Sequence, residues 1–303
     1  MKIMQDKTVI VTGAGRGVGR AIALAFAEAG ANVAVIDNGA SLAGTATEQT
    51  PASEVVAEIL ARGGSAIGIT HSVADWDAAH SAVEEAVLAF GRIDAVVNNA
   101  GNLRDVIFHK MTEEDFDSVI NVHLKGTFNM SRAAAAHFKN QHSGAYLHMT
   151  STSGLIGNFG QANYCAAKMG IVGLSKAIAL DMQRFGVRSN AVAPFAWTRM
   201  IDSIPNSTPQ QQKRVNGLKK LVPERLAPFA TAICSDQASH ITGQVFGVRN
   251  NEIYLFSQSR PIKTAHTADG WTAESVIEKA FPLLGPDFYP LHKSGDVFNW
   301  DPI

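Results

Sequence analysis

The stretch that decides the fold is Thr8-Val9-Ile10-Val11-Thr12-Gly13-Ala14-Gly15-Arg16-Gly17-Val18-Gly19-Arg20-Ala21-Ile22. A run of β-branched residues enters a glycine-rich turn, and an apolar helical pattern follows at once. Glycines there permit a tight bend and let the backbone approach a pyrophosphate closely. The helix start beyond them offers unpaired N–H groups and a partial positive charge. The spacing is Gly-x-x-x-Gly-x-Gly rather than the commoner Gly-x-Gly-x-x-Gly. A second apolar run, Asn32–Ile36, ends in Asp37, where a carboxylate can accept hydrogen bonds from ribose hydroxyls. Gly13, Gly15, Arg16, Gly17, Val18, Gly19 and Asp37 are therefore expected to form the start of a dinucleotide site. Asp37 would repel a 2′-phosphate, and one exposed arginine, Arg16, does not offset it, so NAD is expected over NADP.

Working outward, short apolar runs alternate with helical patterns along the chain. Strands are expected at Thr8–Thr12, Asn32–Ile36, Ser65–Thr70, Ala95–Asn98, Ala145–Met149, Ser189–Ala193 and Gln244–Val248. Helices are expected at Val18–Ala29, Ser53–Ala61, Trp76–Phe90, Glu113–Lys139, Ala162–Phe185 and Glu224–Ser235. Near-continuous apolar strands separated by helices predict a seven-stranded parallel sheet covered on both faces, a doubly wound α/β domain over residues 1–249. Asn38–Ala52 reads as a polar connection. Pro194–Val222, with three prolines and Lys213, Arg214, Lys219 and Lys220, has the length of a lid or binding loop. Residues 250–303 follow the last expected strand and carry eight aromatics, too many for a disordered tail. They are expected to pack on the same or a neighbouring subunit.

The 303 residues are 46% hydrophobic and 17% charged, with formal net charge −1. Such a balance argues against nucleic-acid and membrane-surface partners and for small-molecule work. Cys165 and Cys234 cannot supply a disulfide framework. No signal-peptide pattern, membrane-length apolar run or metal motif is present, so a cytosolic, metal-free protein is expected.

Tyr164-Cys165-Ala166-Ala167-Lys168 puts a phenol and an ammonium on one helix face. A nearby cation lowers a phenol's pKa from its usual value near 10 and fits it for proton exchange. Ser151 follows the fifth expected strand, at the sheet edge where ligands bind in such folds, and can hydrogen-bond a reacting oxygen. Asn98-Asn99-Ala100-Gly101 ends the fourth strand at the same edge, its amides suited to fixing the sheet and the pocket. Asn121 sits inside a helical pattern that asparagine disfavours, which suggests a role in passing protons outward from Lys168.

Taken in order, these motifs resemble the short-chain dehydrogenase/reductase family over roughly Lys7–Val248. The resemblance implies hydride transfer between a nicotinamide and a secondary alcohol or ketone. It makes Tyr164 the acid/base, Ser151 the substrate-orienting group, Lys168 the ribose ligand and Asn121 the holder of a relay water. It adds Ser72, Val73, Asn99, Ala100, Gly101, Val122, Pro194 and Thr198 to the cofactor site, and it implies a homodimer or homotetramer. Gly157–Tyr164 and Asn99–Asp105 narrow the resemblance to the dehydrogenase part of the type 2 peroxisomal multifunctional enzymes. That part acts on (3R)-hydroxyacyl-CoA with NAD and also on hydroxysteroids. No hydratase unit follows in these 303 residues, so only the dehydrogenation step carries over. Two departures stand out: Phe195 follows Pro194 where glycine is usual, and His71-Ser72 stand where an adenine-contacting Asp is common. The remaining readings are a non-catalytic NAD sensor on the same fold and an NADPH-dependent 3-oxoacyl-carrier-protein reductase. The complete Ser151/Tyr164/Lys168 set argues against the first, and Asp37 against the second.

Overall fold

The computed structural model describes residues 2–41, 51–197 and 208–301. Its centre is a single sheet of eight strands. The first seven are parallel: β1 (Thr8–Thr12), β2 (Asn32–Ile36), β3 (Ser65–Ile69), β4 (Ala95–Asn98), β5 (Gly144–Met149), β6 (Val187–Phe195) and β7 (Val245–Arg249). The eighth, β8 (Glu252–Leu255), corrects the expected seven-stranded, all-parallel sheet. It pairs antiparallel with β7, Arg249 facing Glu252, through an Asn250-Asn251 turn in which Asn250 has φ 56°. Asparagine tolerates that left-handed conformation, which two-residue hairpins require.

The spatial order is β3-β2-β1-β4-β5-β6-β7-β8. Consecutive strands progress outward in opposite directions from the β1/β4 boundary, and a doubly wound sheet opens a crevice there, beyond the strands' carboxyl ends. Successive side chains of a strand point to opposite faces. Val9 and Val11 join one buried cluster, with Ile22, Phe26 and Ile233, while Ile10 joins the other, with Val83, Met130 and Phe138. Helices α1 (Gly17–Glu28), α2 (Pro51–Ala61) and a later helix, Ala227–Cys234, supply the first cover. Helices α3 (Trp76–Phe90) and α5 (Gly126–Gln141) supply the second, and α7 (Ala162–Met182) packs against β5 and β6. Two helices are bounded by identifiable chemistry. Asp75 caps α3 by accepting from Ala78 N–H at 2.7 Å, and Gly91 ends it at φ 79°. Thr112 and Asp115 form a capping box on α4 (Glu113–Ile120).

The single long helix expected over Glu113–Lys139 is two helices, α4 and α5, joined by a π-helical turn at Asn121–Lys125. After β5 comes a one-turn helix, α6 (Thr152–Leu155), and Pro209–Leu218 of the Pro194–Val222 connection is helical too (α8). Trp197 N–H donates to Leu221 O at 2.6 Å, closing the base of that connection. Among the described residues no helix is long and apolar enough to cross a membrane.

Candidate active site

The carboxyl ends of β1, β2, β4, β5 and β6 open into a cleft of about 1530 Å³. Its first wall is the glycine turn. Gly13 and Gly17 have φ +60° and +54°, the left-handed region that favours glycine. A Cβ on Gly19 would stand 2.2 Å from Gly13 O, and one on Gly15 would stand 2.8 Å from Asp37 Oδ2. The turn is thus closed on itself and leaves no room for side chains. The first turn of α1 holds no acidic residue, and Arg16 gives the helix no side-chain cap. That helix start is open to an anion from the cleft.

Asp37 stands at the end of β2 with both oxygens engaged. Oδ2 accepts from Gly15 N–H at 2.9 Å and Oδ1 from Gly39 N–H at 2.8 Å. Each oxygen keeps a second lone pair, so the carboxylate can still meet hydroxyls arriving from the cleft that it lines. Asn99 clamps the same turn from β4: its Nδ2 donates to Thr12 O (2.9 Å) and Gly13 O (3.1 Å). Asn99 and Ala100 N–H both donate to Thr12 Oγ1. Ser72 and Val73 form the wall beyond β3, and Val73 is held by Asn129 Nδ2 donating to its carbonyl at 2.9 Å.

At the other end of the cleft lie Ser151, Tyr164 and Lys168. Ser151 starts α6 and accepts from Ser153 N–H at 3.1 Å, which fixes its Oγ, and its hydroxyl proton is directed to the Tyr164 phenol. Tyr164 and Lys168 are one turn apart on α7, the ammonium 5.5 Å from the phenol ring centre. Thr150 Oγ1 donates to Lys168 O at 2.7 Å, tying the end of β5 to α7. Asn163 locks the helix start: Nδ2 donates to Arg104 O and Asp115 O, and Oδ1 accepts Tyr164 N–H at 2.7 Å.

The electrostatics correct the simple picture of an ammonium lowering a phenol. Burial pushes Tyr164 up to about 12, against a hydrogen bond from Ser151 that lowers it. Burial brings Lys168 down to about 7, and its Nζ donates to Met149 O at 2.7 Å. A further positive charge entering the cleft would favour the Tyr164 phenolate, and the phenolate in turn the ammonium form of Lys168. The Lys168 shift also has a stability signature. Between about 7 and the ordinary value of 10.5 the unfolded chain holds a proton that the folded chain lacks. Stability therefore rises with pH across that window. We expect Lys168→Met to exceed the wild type in melting temperature at pH 7, and this margin to shrink toward pH 9.5. A margin that stays constant with pH contradicts the assignment.

The structure brings together Gly13, Arg16, Gly17, Val18, Asp37, Ser72, Val73, Asn99, Ala100, Gly101, Val122, Ser151, Tyr164, Lys168 and Pro194 around one cleft. Gly15 and Gly19 are buried just behind its wall. Thr198 lies outside the described residues. Asn121 is not brought in. It is exposed on the π-helical turn, and His123, two residues on, faces the cleft instead. His123 is fully buried and meets the Tyr164 ring edge-on at 5.2 Å. Its Nε2 lies 2.8 Å from Asn102 O and 3.1 Å from Asn102 N. Burial first, and the Lys168 charge second, hold it well below the usual histidine range, hence neutral. Removing the ring leaves a buried Asn102 backbone group unpaired, a cost of about 1–3 kcal/mol. We expect His123→Phe to lose about that much stability in urea unfolding and His123→Asn to lose less; equal losses contradict this pairing.

Arg249, Lys293–Asp296 and Phe298–Asp301 also line the cleft, with Phe195, which the sequence marked only as a departure from glycine. The Phe195 departure from glycine was the one visible signal. Among the described residues no cluster of three His, Cys, Asp or Glu side chains could hold a metal.

A doubly wound sheet with this glycine turn and a Ser–Tyr–Lys cluster at its switch point defines a dinucleotide-dependent oxidoreductase class. The model of the short chain dehydrogenase family matches residues 7–205. The chain belongs to that family. It is 44% identical over 237 residues to a Mycobacterium tuberculosis protein classed as a short-chain type dehydrogenase/reductase, covering 78% of this chain and 80% of that one. It is 43% identical over 237 residues to mouse peroxisomal multifunctional enzyme type 2, covering 78% of this chain but 31% of that protein's own length. It is 39% identical over 251 residues to 3-oxoacyl-[acyl-carrier-protein] reductase of Staphylococcus aureus, covering 82% and 98%. Among solved structures, a short chain dehydrogenase from Mycobacterium avium superposes with TM-score 0.83 at 37% identity, covering 97% of this chain and 99% of that one. The protein is an oxidoreductase acting on CH–OH groups with a nicotinamide cofactor.

Proposed function

We propose that the protein oxidises a (3R)-hydroxyacyl-CoA, or a related CoA thioester, to its 3-oxo form with NAD. The observation that carries the coenzyme choice is Asp37, a carboxylate lining the cleft with a lone pair free on each oxygen. The fit of the dinucleotide is supported by Gly13, Gly15 and Gly19, where any Cβ would meet backbone, turn or carboxylate atoms at 2.8 Å or less. Gly13–Gly19 would hold the pyrophosphate, Asp37 the adenosine ribose, and Asn99, Lys168 and Pro194 the nicotinamide half. When bound, NAD supplies the hydride acceptor and a positive charge beside Tyr164.

Tyr164 takes the proton of the substrate hydroxyl as the carbinol hydride departs. Ser151 Oγ donates to the same oxygen and holds it over the phenol. Lys168, returned to its charged form, stabilises the phenolate and binds ribose hydroxyls. Buried, neutral His123 fixes the Tyr164 ring from its edge and leaves no competing base beside it. The likeness to multifunctional enzyme type 2 supports the acyl thioester. The test is kcat/KM with NAD for (3R)-hydroxyacyl-CoA, free hydroxy acids, ring secondary alcohols including hydroxysteroids, and carrier-protein thioesters. We expect the CoA thioester to lead; a steroid or carrier-protein substrate in first place overturns the assignment.

A further inference from the structure

Phe195 lines the cleft where glycine was expected, and the tail supplies its partner. After β8 the chain leaves the sheet and returns across the cleft mouth at residues 293–301. One end is fastened beside the Tyr164 helix. Ser294 N–H donates to Gly157 O at 2.9 Å, and Lys293 Nζ lies 5.7 Å from the centre of the Phe159 ring. The other end is fastened to β7 and β8. Trp300 Nε1 donates to Glu252 Oε1 at 2.8 Å, and its carbonyl accepts from the Arg249 guanidinium. Arg249 is itself 5% exposed and paired with Glu252 at 3.1 Å, so this anchor is internal. Asp301 then comes within 4.0 Å of where a Cβ on Gly217 of α8 would stand. The segment bridges the loop before Tyr164 and the helix across the cleft.

Between these anchors Phe298 turns inward. Its ring meets Phe195 edge-on at 4.8 Å and Tyr254 at 5.4 Å. Phe195 follows Pro194 at the end of β6, next to the proposed nicotinamide position. Leu218 and Leu221 line the same cleft from the connection after β6. Ser294, Trp300 and the Lys293–Asp296 pair are engaged at the anchors, whereas the inward ring of Phe298 is apolar. Edge-to-face aromatic pairs of this kind are rigid and directional.

We propose that residues 293–301 form the substrate-side wall of the active site, and that the Phe195–Phe298 pair sets which alcohols fit by packing on the apolar body behind the carbinol carbon. This rests on the reading that the alcohol lies beside Tyr164. The wall favours extended apolar substrates and limits their bulk near the reacting carbon. Phe195 on β6 stands four strands from Asp37 at the end of β2, so the wall lies away from the adenosine half of the coenzyme.

The test compares wild type with Phe298→Ala, Phe298→Leu and Phe195→Gly across short-, medium- and long-chain (3R)-hydroxyacyl-CoA esters and a size series of simple secondary alcohols. NAD affinity is measured alongside by titration. An apolar contact of this size discriminates substrates by roughly tenfold or more. We expect the ratio of kcat/KM between bulky and small substrates to shift by about that factor, with NAD affinity unchanged. The double change of Phe195 and Phe298 should shift the ratio by less than the product of the single shifts, because the rings share one wall. Phe298→Leu guards against loss of folding in the alanine variant. A uniform fall across all substrates, or a fall in NAD affinity of similar size, overturns the wall. The two failures separate. If only simple alcohols turn over, the thioester assignment falls and the ratio within their size series still decides the wall. If thioesters turn over with unchanged ratios in every folded variant, the wall alone falls.

Discussion

Tyr164→Phe is expected to lower kcat by about 10²–10⁴-fold, the contribution of a positioned general acid or base. KM for the alcohol and affinity for NAD should change by less than threefold or so, because the ring and its contacts remain. The hydroxyl that disappears is the group hydrogen-bonded to Ser151, and the edge-on contact with His123 survives. Kcat and KM are therefore informative together. A large rise in KM would mean that the hydroxyl binds substrate without transferring its proton. Steady-state kinetics with circular dichroism of the variant decide between these outcomes.

The second large effect is in coenzyme preference. Asp37→Asn keeps an acceptor for Gly15 N–H or Gly39 N–H, the two donors that hold the carboxylate. It removes the negative charge facing the adenosine ribose. Hydrogen bonds to a charged group are worth about 1.5–3 kcal/mol, or roughly ten- to a hundredfold in an equilibrium constant. The ratio of kcat/KM for NAD over NADP should fall by about that factor, with NADP use rising in absolute terms. An unchanged ratio contradicts the placement of the adenosine ribose at Asp37. Asp37→Ala is the weaker experiment. It also releases the glycine turn, so a loss of both coenzymes would mix two causes.

The parts of this site readable from sequence were those whose chemistry depends on local pattern. A β-branched run, a glycine turn and a helix lie within one short stretch, and Asp37 follows at the end of the next strand. Tyr164 and Lys168 share a helix face because their spacing matches the helical repeat. The rest depends on contacts distant in sequence or on one-residue changes of register. The π-helical turn at Asn121–Lys125 inserts an extra residue into a helix whose pattern looks continuous. That turn presents His123 inward and Asn121 outward, the reverse of the assignment made from the helix-disfavouring asparagine. The raised Tyr164 and lowered Lys168 follow from burial, which a spacing rule does not contain. β8 is only four residues long and half-exposed, so its alternation is brief. Its asparagine turn was the available cue. The strap over the cleft depends on Gly157, Arg249 and Glu252, none of which signals the tail by its type.

In the absence of cofactor Tyr164 is a neutral phenol and Lys168 stands near half-protonation at neutral pH, both because they are buried. Burial holds both groups toward their neutral forms, and a positive group in the cleft would favour the phenolate of Tyr164. With NAD bound as proposed, its positive charge makes Tyr164 a better base for the alcohol proton. Ser151 keeps the reacting oxygen in place without adding charge.

The most direct test of the account is isotope transfer with the best alcohol found in the substrate comparison, deuterated at its carbinol carbon. Mixed with wild-type protein and NAD, it should give one deuteron on the reduced nicotinamide for every ketone formed, with none in water. Deuterium released to solvent, or ketone formed without reduced coenzyme, would contradict hydride transfer in this cleft.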